Sequence, residues 1–154
     1  MGQQQLLLLV LGIVIVGIAV VAGIQAFSEG KAKAEQDAAI SDAMRIISDV
    51  QAWKLKPTAF GGGDNGVEAD FAPNNNPVSF AALGINDTDT NGKYVTLNGC
   101  YTLTGASTGA TILIERKNGA DCGGEIATVT VNGTKTSNIA WQYAGGTEPD
   151  NTEG

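Results

Sequence analysis

The chain has 154 residues, which is the length of one ordinary domain rather than several. It contains no histidine and only two cysteines, so it cannot form a serine–histidine–aspartate triad, a cysteine–histidine pair or a zinc site of the usual spacing. Its formal net charge of −7 disfavours nucleic acid, which is itself an anion. We therefore expect neither an enzyme nor a nucleic-acid-binding protein.

The most apolar part of the sequence is residues 6–27, LLLLVLGIVIVGIAVVAGIQAF, which holds no charged side chain. As a helix rising about 1.5 Å per residue, it would span about 33 Å, the hydrocarbon thickness of a bilayer. Its apolar residues occur on every side instead of along one stripe. The segment must therefore be surrounded by lipid or by other protein.

The helical pattern continues through residues 28–56, which contain no proline and are rich in Ala, Lys, Glu and Gln. An apolar stripe at helical spacing follows this part of the chain and is formed by Ile40, Met44, Ile47 and Val50. Pro57 is the first firm stop. We expect one helix over residues 1–56, hydrophobic all round in its first half and amphipathic in its second.

Small residues recur through the apolar segment, although glycine in a water-exposed helix costs about 1 kcal/mol relative to alanine. They allow helices to approach closely. The set comprises Gly12, Gly17, Ala19, Ala22, Gly23 and Ala26. We interpret it as a packing surface between identical subunits; a generic membrane helix, which also tolerates glycine, is the alternative.

The rest of the chain predicts a loop, a sheet and a tail. Residues 57–92 hold three of the four prolines and many Gly and Asn, which predicts a loop that Phe60, Phe71 and Phe80 pin onto the helix or onto a neighbour. Residues 93–144 contain alternating β-branched runs separated by Gly-rich turns, which predicts three or four antiparallel strands. Residues 145–154 read as a polar tail. The expected fold class is α+β, with a long helix packed on a small sheet.

Cys100 and Cys122 are separated by 21 residues. We expect a disulfide between them, because a small domain outside the cytoplasm often needs such a cross-link. Two unpaired buried thiols are the alternative, and they would suit a cytoplasmic domain.

The segment Asp87-Thr-Asp89-Thr-Asn91-Gly matches the opening half of a calcium-binding loop, with oxygen ligands at alternate positions before a glycine. Asp87, Asp89 and Asn91 are the candidate ligands. Asn98 stands where the closing bidentate acid is expected, so a plain turn without metal is the alternative. No other cofactor is expected.

Two segments fit the pattern for N-linked glycosylation, with acceptors at Asn86 and Asn132. Modification requires an organism with the machinery, and short acceptor patterns also arise by chance. Unmodified turns are the alternative at both positions.

The two-part helix of residues 1–56, followed by a Gly-, Asn- and Thr-rich domain with Cys100 and Cys122, resembles a type IV pilin. Such proteins are made with a short basic leader cut after a glycine, carry a glutamate near the new N-terminus and pack their first helices into a filament core. Here Gln5 stands at the glutamate position. A glutamate would pair with the free amine of a neighbour, at Met1 in this chain, whereas Gln5 offers a neutral hydrogen bond about half as strong.

The resemblance implies a major structural subunit of an extracellular type IV pilus-like filament, used for adhesion or motility. Its partners would be copies of itself, the prepilin peptidase and pilus assembly machinery, and the inner membrane before assembly. Because Met1 to Gln5 include no Lys or Arg, we expect a basic leader upstream of Met1, with cleavage after Gly2 as the other reading. A pseudopilin of a secretion system and a monomeric membrane-tethered binding module are the alternatives.

Overall fold

The computed structural model describes residues 2–145; Met1 and residues 146–154, which make up nearly all of the predicted tail, lie outside the described residues. The described residues belong to two compact units, residues 2–35 and residues 36–145. One long helix precedes five strands. The predicted α+β class, with a long N-terminal helix and an antiparallel sheet, is confirmed.

Helix α1 runs from Gly2 to Leu55 and contains 54 residues. It ends two residues before Pro57, because the proline ring disfavours helical backbone at the residue that precedes it and offers no N–H to continue the ladder. The N–H of Lys56 closes the last turn on the carbonyl of Trp53, at 3.2 Å. The first firm stop in the sequence is thus also the end of the helix.

The buried face of α1 lies within residues 36–55 and differs from the predicted stripe. It consists of Ala39, Ala43, Ile46, Ile47, Val50, Trp53 and Lys54. Met44 of the predicted stripe is 50% exposed, and Ile40 packs only against the edge of the core. The prediction counted large apolar residues, whereas Ala39 and Ala43 are the positions where a small side chain lets the sheet approach the helix.

The sheet is a five-stranded antiparallel meander in which each strand pairs with the next in sequence. Its strands are β1 Tyr94–Val95, β2 Gly99–Ala106, β3 Gly109–Asn118, β4 Asp121–Val131 and β5 Ile139–Tyr143. The predicted number of strands, three or four, is too low, because two of the β-branched runs, residues 94–105 and residues 125–143, each divide into two strands. The first divides at residues 96–98, and the second at residues 132–138, which include a 3-10 turn at Thr136–Asn138.

The strands present one apolar face and one threonine-rich face. Cross-strand partners on the apolar face form continuous rows, such as Leu103, Ile112, Val129 and Trp141. Ile112 and Val129 belong to the same core cluster as the buried face of α1, and Leu103 and Trp141 pack against that cluster. The alternate positions carry Thr104, Thr111 and Thr130 in one row. Because successive side chains of a strand point to opposite faces, these threonines lie on the face of the sheet opposite the core.

The loop between α1 and the sheet is fixed to the core by two of the three predicted phenylalanines. Phe71 and Phe80 are buried, whereas Phe60 is 73% exposed. The N–H of Phe71 donates to the carbonyl of Ala106 at 2.9 Å, which ties the loop to the end of β2. A Cβ on Gly105 would lie 2.6 Å from the carbonyl oxygen of Phe71, so this close approach requires glycine.

The corrected face of α1 can be tested with two leucine substitutions on adjacent residues. Ala43→Leu should lower the free energy of unfolding by about 1–3 kcal/mol, because the longer side chain overpacks a filled core. Met44→Leu, at the exposed position, should change it by less than about 0.5 kcal/mol. Urea denaturation in detergent, followed by tryptophan fluorescence, measures both. A larger loss for Met44→Leu than for Ala43→Leu would contradict the assignment.

Candidate functional site

The candidate assembly surface is the apolar part of α1, residues 6–27. Its fifteen large apolar side chains have exposed fractions between 49% and 77%. They are Leu6, Leu7, Leu8, Leu9, Val10, Leu11, Ile13, Val14, Ile15, Val16, Ile18, Val20, Val21, Ile24 and Phe27. Within residues 2–145, α1 is long and apolar enough to cross a membrane by length and composition. A surface of this kind needs lipid or protein around it in water.

The small residues of this surface concentrate on one side of α1. Gly12, Ala19 and Ala26 follow one another at intervals of seven residues, and a helix turns about 100° per residue, so the three lie within one narrow stripe. Gln5, seven residues before Gly12, lies on the same side. Ala22 and Gly23 flank the same stripe. Gly17 lies on the opposite side. A Cβ placed on Gly12, Gly17 or Gly23 would meet no atom within 4 Å, so contacts within the described chain do not explain these glycines.

Cys100 and Cys122 lie at disulfide distance, with Cα atoms 6.0 Å apart. Cys100 is on β2 and Cys122 on β4, so the pair joins two strands that each hydrogen-bond to β3 but not to each other. Strands on either side of a third are normally about 10 Å apart. Register shifts in the β3–β4 pairing at Glu115 and Lys117 accompany the closer approach.

The candidate calcium ligands lie in a tight turn before β1. The Asp89 carboxylate oxygen Oδ1 accepts the backbone N–H groups of Asn91 at 2.9 Å and Lys93 at 2.8 Å. Gly92 has φ +74°, the left-handed conformation that such a turn favours in glycine. No group of three or more Cys, Asp or Glu residues among the described residues could hold a metal ion. Calcium binding by Asp87, Asp89 and Asn91 stays a prediction.

Both candidate glycosylation acceptors are exposed. Asn86 precedes the Asp89 turn, and Asn132 follows the last residue of β4. The backbone N–H of Asn132 donates to the carbonyl of Asn138 at 2.8 Å, which closes the β4–β5 connection. Glycosylation at either position stays a prediction.

Sequence reasoning missed a polar cluster at the end of α1. Trp53 Nε1 donates to the carbonyl of Gly61 at 3.0 Å, and the N–H of Gly63 donates to the carbonyl of Trp53 at 3.0 Å. A Cβ on Gly63 would lie 2.3 Å from the Trp53 ring, so the glycine run at 61–63 follows the helix end at very short range. Lys54 is buried beneath the same segment. The sequence shows only that a lysine follows a tryptophan near the end of the predicted helix, and this pattern does not predict burial of the lysine.

A second polar contact connects α1 with the β1–β2 turn. The Asp42 carboxylate accepts hydrogen bonds from Thr96 Oγ1 at 3.2 Å and from Asn98 Nδ2 at 3.0 Å. The hydroxyl of Tyr101 donates to the carbonyl of Ala39 at 3.1 Å. Burial raises the pKa of this hydroxyl well above its ordinary value, so it stays protonated and remains a donor.

Comparisons of the chain with protein-family models, with curated proteins and with solved structures find no match.

The cysteine pair provides a prediction on stability. Replacing both cysteines by alanine should lower the free energy of unfolding by about 3 kcal/mol, because the open chain regains loop entropy in the unfolded state. Urea denaturation in detergent measures the loss. Reductant should destabilise the wild-type chain to a similar extent and leave the double variant unchanged. Two titratable thiols in the denatured, unreduced chain would contradict the pairing.

The turn that contains Asp89 provides a second prediction on stability. Asp89→Ala should lower the free energy of unfolding by about 1–3 kcal/mol, because two backbone N–H groups lose their acceptor. Asp87→Ala should change it by less than about 0.5 kcal/mol in the absence of calcium. Thermal unfolding with a chelator measures both variants. If added calcium raises the melting temperature of the wild-type chain but not that of Asp87→Ala, the metal site is established, and equal effects on both chains exclude it.

Proposed function

We propose that the chain is the major structural subunit of an extracellular type IV pilus-like filament, used for adhesion or motility. The observation that supports this most directly is the contrast between the two units. Residues 36–145 have a core of their own, whereas residues 6–27 expose large apolar side chains on every side of α1. A chain of this kind is soluble only when the first unit is covered.

Copies of the same helix can bury this apolar surface. Burying one large aliphatic or aromatic side chain contributes about 1.5–3 kcal/mol relative to water. Fifteen such side chains in residues 6–27 therefore exceed an association cost of about 4–15 kcal/mol by a wide margin. A filament with these helices in its core would not release subunits into water.

Transfer of residues 6–27 from the membrane into a filament core gains little from the hydrophobic effect, because lipid is already apolar. Association of helices in a membrane depends on close packing, and small residues make it strong. The stripe of Gly12, Ala19 and Ala26, flanked by Ala22 and Gly23, provides a surface on which a second backbone can approach closely. Gln5, on the same side, would offer its amide to the N-terminal amine of a neighbouring subunit at Met1.

The cysteine pair supports a location outside the cytoplasm. Disulfides persist in oxidising compartments, and the pair lies at the required distance within the folded unit. Under the proposal the subunit is held in the cytoplasmic membrane by residues 6–27, is processed by a prepilin peptidase and is then incorporated at the cell surface by the assembly machinery. Its role is mechanical or adhesive, and no enzyme activity is proposed.

Electron microscopy of material sheared from cells tests the proposal directly. We expect long fibres, and mass spectrometry should identify this chain as their main component. Short assemblies that stay with the cell envelope would instead indicate a pseudopilin. A monomer that stays in the membrane fraction and forms no fibre would indicate a membrane-tethered binding module and would refute the filament.

Two leucine substitutions separate filament packing from membrane insertion. Ala22→Leu should reduce fibre yield at least about tenfold, because a larger side chain at a packed small-residue position costs about 1–3 kcal/mol. Val21→Leu, on the opposite side of α1, should have a smaller effect and serves as the matched control. Both chains should still reach the membrane fraction. Equal fibre yields from the two variants would exclude the small-residue stripe as the packing surface.

A further inference from the structure

The turn between β1 and β2, residues 96–98, carries a leucine in water. The side chain of Leu97 is 93% exposed, the largest fraction among the exposed large apolar residues of the described chain. Turns between strands favour Gly, Asn, Asp and Ser for their backbone conformations and hydrogen bonds. Leu97 therefore adds nothing to the core of its own chain and is available to a partner.

The backbone that carries Leu97 is held on both sides. Asn98 Nδ2 donates to the Asp42 carboxylate at 3.0 Å, which ties the β1–β2 turn to α1. On the other side, Lys117 Nζ donates to the carbonyl of Thr96 at 3.0 Å. A side chain presented from a fixed turn loses little backbone entropy when it binds.

A groove beside the end of α1 carries two further exposed apolar side chains. Leu55 and Val67 line it and are 66% and 55% exposed. Its volume is about 200 Å³. Since a water molecule occupies about 30 Å³, the four carbon atoms of a leucine side chain fit into this space. We call this site the α1-end groove.

The α1-end groove has an acidic rim, formed by Asp64 and Glu68. Both residues are exposed, and neither belongs to an ion pair within residues 2–145. Lys54 also lines the groove, but it is 3% exposed and its amine donates to the carbonyls of Gly63 and Asp70. The charge that the groove presents to a partner is therefore negative.

The β1–β2 turn presents the opposite charge. Lys117 lies beside it, bonded to the neutral carbonyl of Thr96, and has no ion pair within the described part of the chain. Asp42, the acidic residue that contacts the turn, is partly buried and accepts hydrogen bonds from it. The carboxylate of Glu115 is paired with Lys93. Lys117 is thus the uncompensated charge at this turn.

We propose that Leu97 of one copy inserts into the α1-end groove, at Leu55 and Val67, of a second copy. Lys117 of the first copy then lies beside the acidic rim of the second. A lone exposed leucine is ordinary on a protein surface. A groove that fits it, with charge of opposite sign on the same folded unit, is the complementarity that selects a copy of this chain as the partner. The inference rests on the proposed filament, because it names a contact between its subunits.

The contact is head to tail. The β1–β2 turn lies at Asp42 of α1, and the groove lies at Leu55, thirteen residues later. At 1.5 Å per residue the two features are about 20 Å apart along the helix axis. Each copy therefore uses its turn on one neighbour and its groove on another. Contacts between unlike surfaces build rings or open filaments and not two-fold dimers.

Cysteine cross-linking in sheared fibres tests the contact. The variant Leu97→Cys/Val67→Cys carries one thiol on each side of it, so oxidation with copper phenanthroline should join successive copies. We expect a ladder of dimers, trimers and longer species on denaturing gels without reductant, after free thiols are blocked. Either single variant has one added thiol and should stop at dimers, since Cys100 and Cys122 pair with each other.

A matched control moves one thiol to the other edge of the sheet. Gln142 is exposed on β5, the edge strand opposite β1. Gln142→Cys/Val67→Cys should give at least about tenfold fewer species beyond the dimer. Equal ladders from the two pairs, or fibres of the Leu97→Cys/Val67→Cys chain without a ladder, would overturn the contact and leave the filament intact. Absence of fibres from every chain, the wild type included, would refute both.

A charge exchange tests the contact without added cysteines. Lys117→Glu should lower the share of chain found in fibres by about two- to fivefold, because it places like charges together at an exposed site. Adding Asp64→Lys should restore that share. Lys117→Glu also removes the hydrogen bond to Thr96, which Asp64→Lys cannot replace, so recovery reports the charge pair alone. No loss, or a loss that Asp64→Lys does not reverse, would overturn the placement of Lys117 at the acidic rim.

Discussion

The first and second halves of helix α1 need different surroundings, and the rest of the structure depends on that difference. From Gly2 to Leu55 the backbone is helical throughout, yet residues 6–27 carry apolar side chains on all sides, whereas residues 36–55 bury one face against a sheet. The first part is stable only where water is excluded from every side. The second needs one apolar partner, which the sheet supplies.

Those features of the fold that depend on hydrophobic period could be predicted from the sequence. The end of α1 at Leu55 follows from Pro57, and the alternation of β-branched residues identifies the strands. The buried face of the helix was harder to predict, because Ala39 and Ala43 contribute little to an apolar pattern and much to the distance between helix and sheet. The number of strands, five, was also hard to predict, because backbone hydrogen bonds determine where a strand stops and they leave no side-chain pattern.

The contacts that fix the loop were outside the reach of pattern reasoning. Gly63 is glycine because the Trp53 ring occupies the space of a side chain, and Lys54 is buried because backbone carbonyls receive it. Neither partner leaves a periodic signal, since every residue has a carbonyl. Of the three phenylalanines in this loop, composition could not separate the buried Phe71 and Phe80 from the exposed Phe60. The hydrogen bond from the Phe71 N–H to the carbonyl of Ala106 holds Phe71 at the end of β2, and composition does not show such a contact.

A small unit of this kind needs more than its apolar core. Residues 36–145 form one unit around a single apolar core, and domains of this size have little stability to spare. The cysteine pair joins β2 to β4 at the end of the sheet where the pairing register shifts, and Lys54 binds the loop just after the helix ends. A disulfide therefore supplements apolar packing at one end of the sheet, and polar contacts supplement it just after the helix.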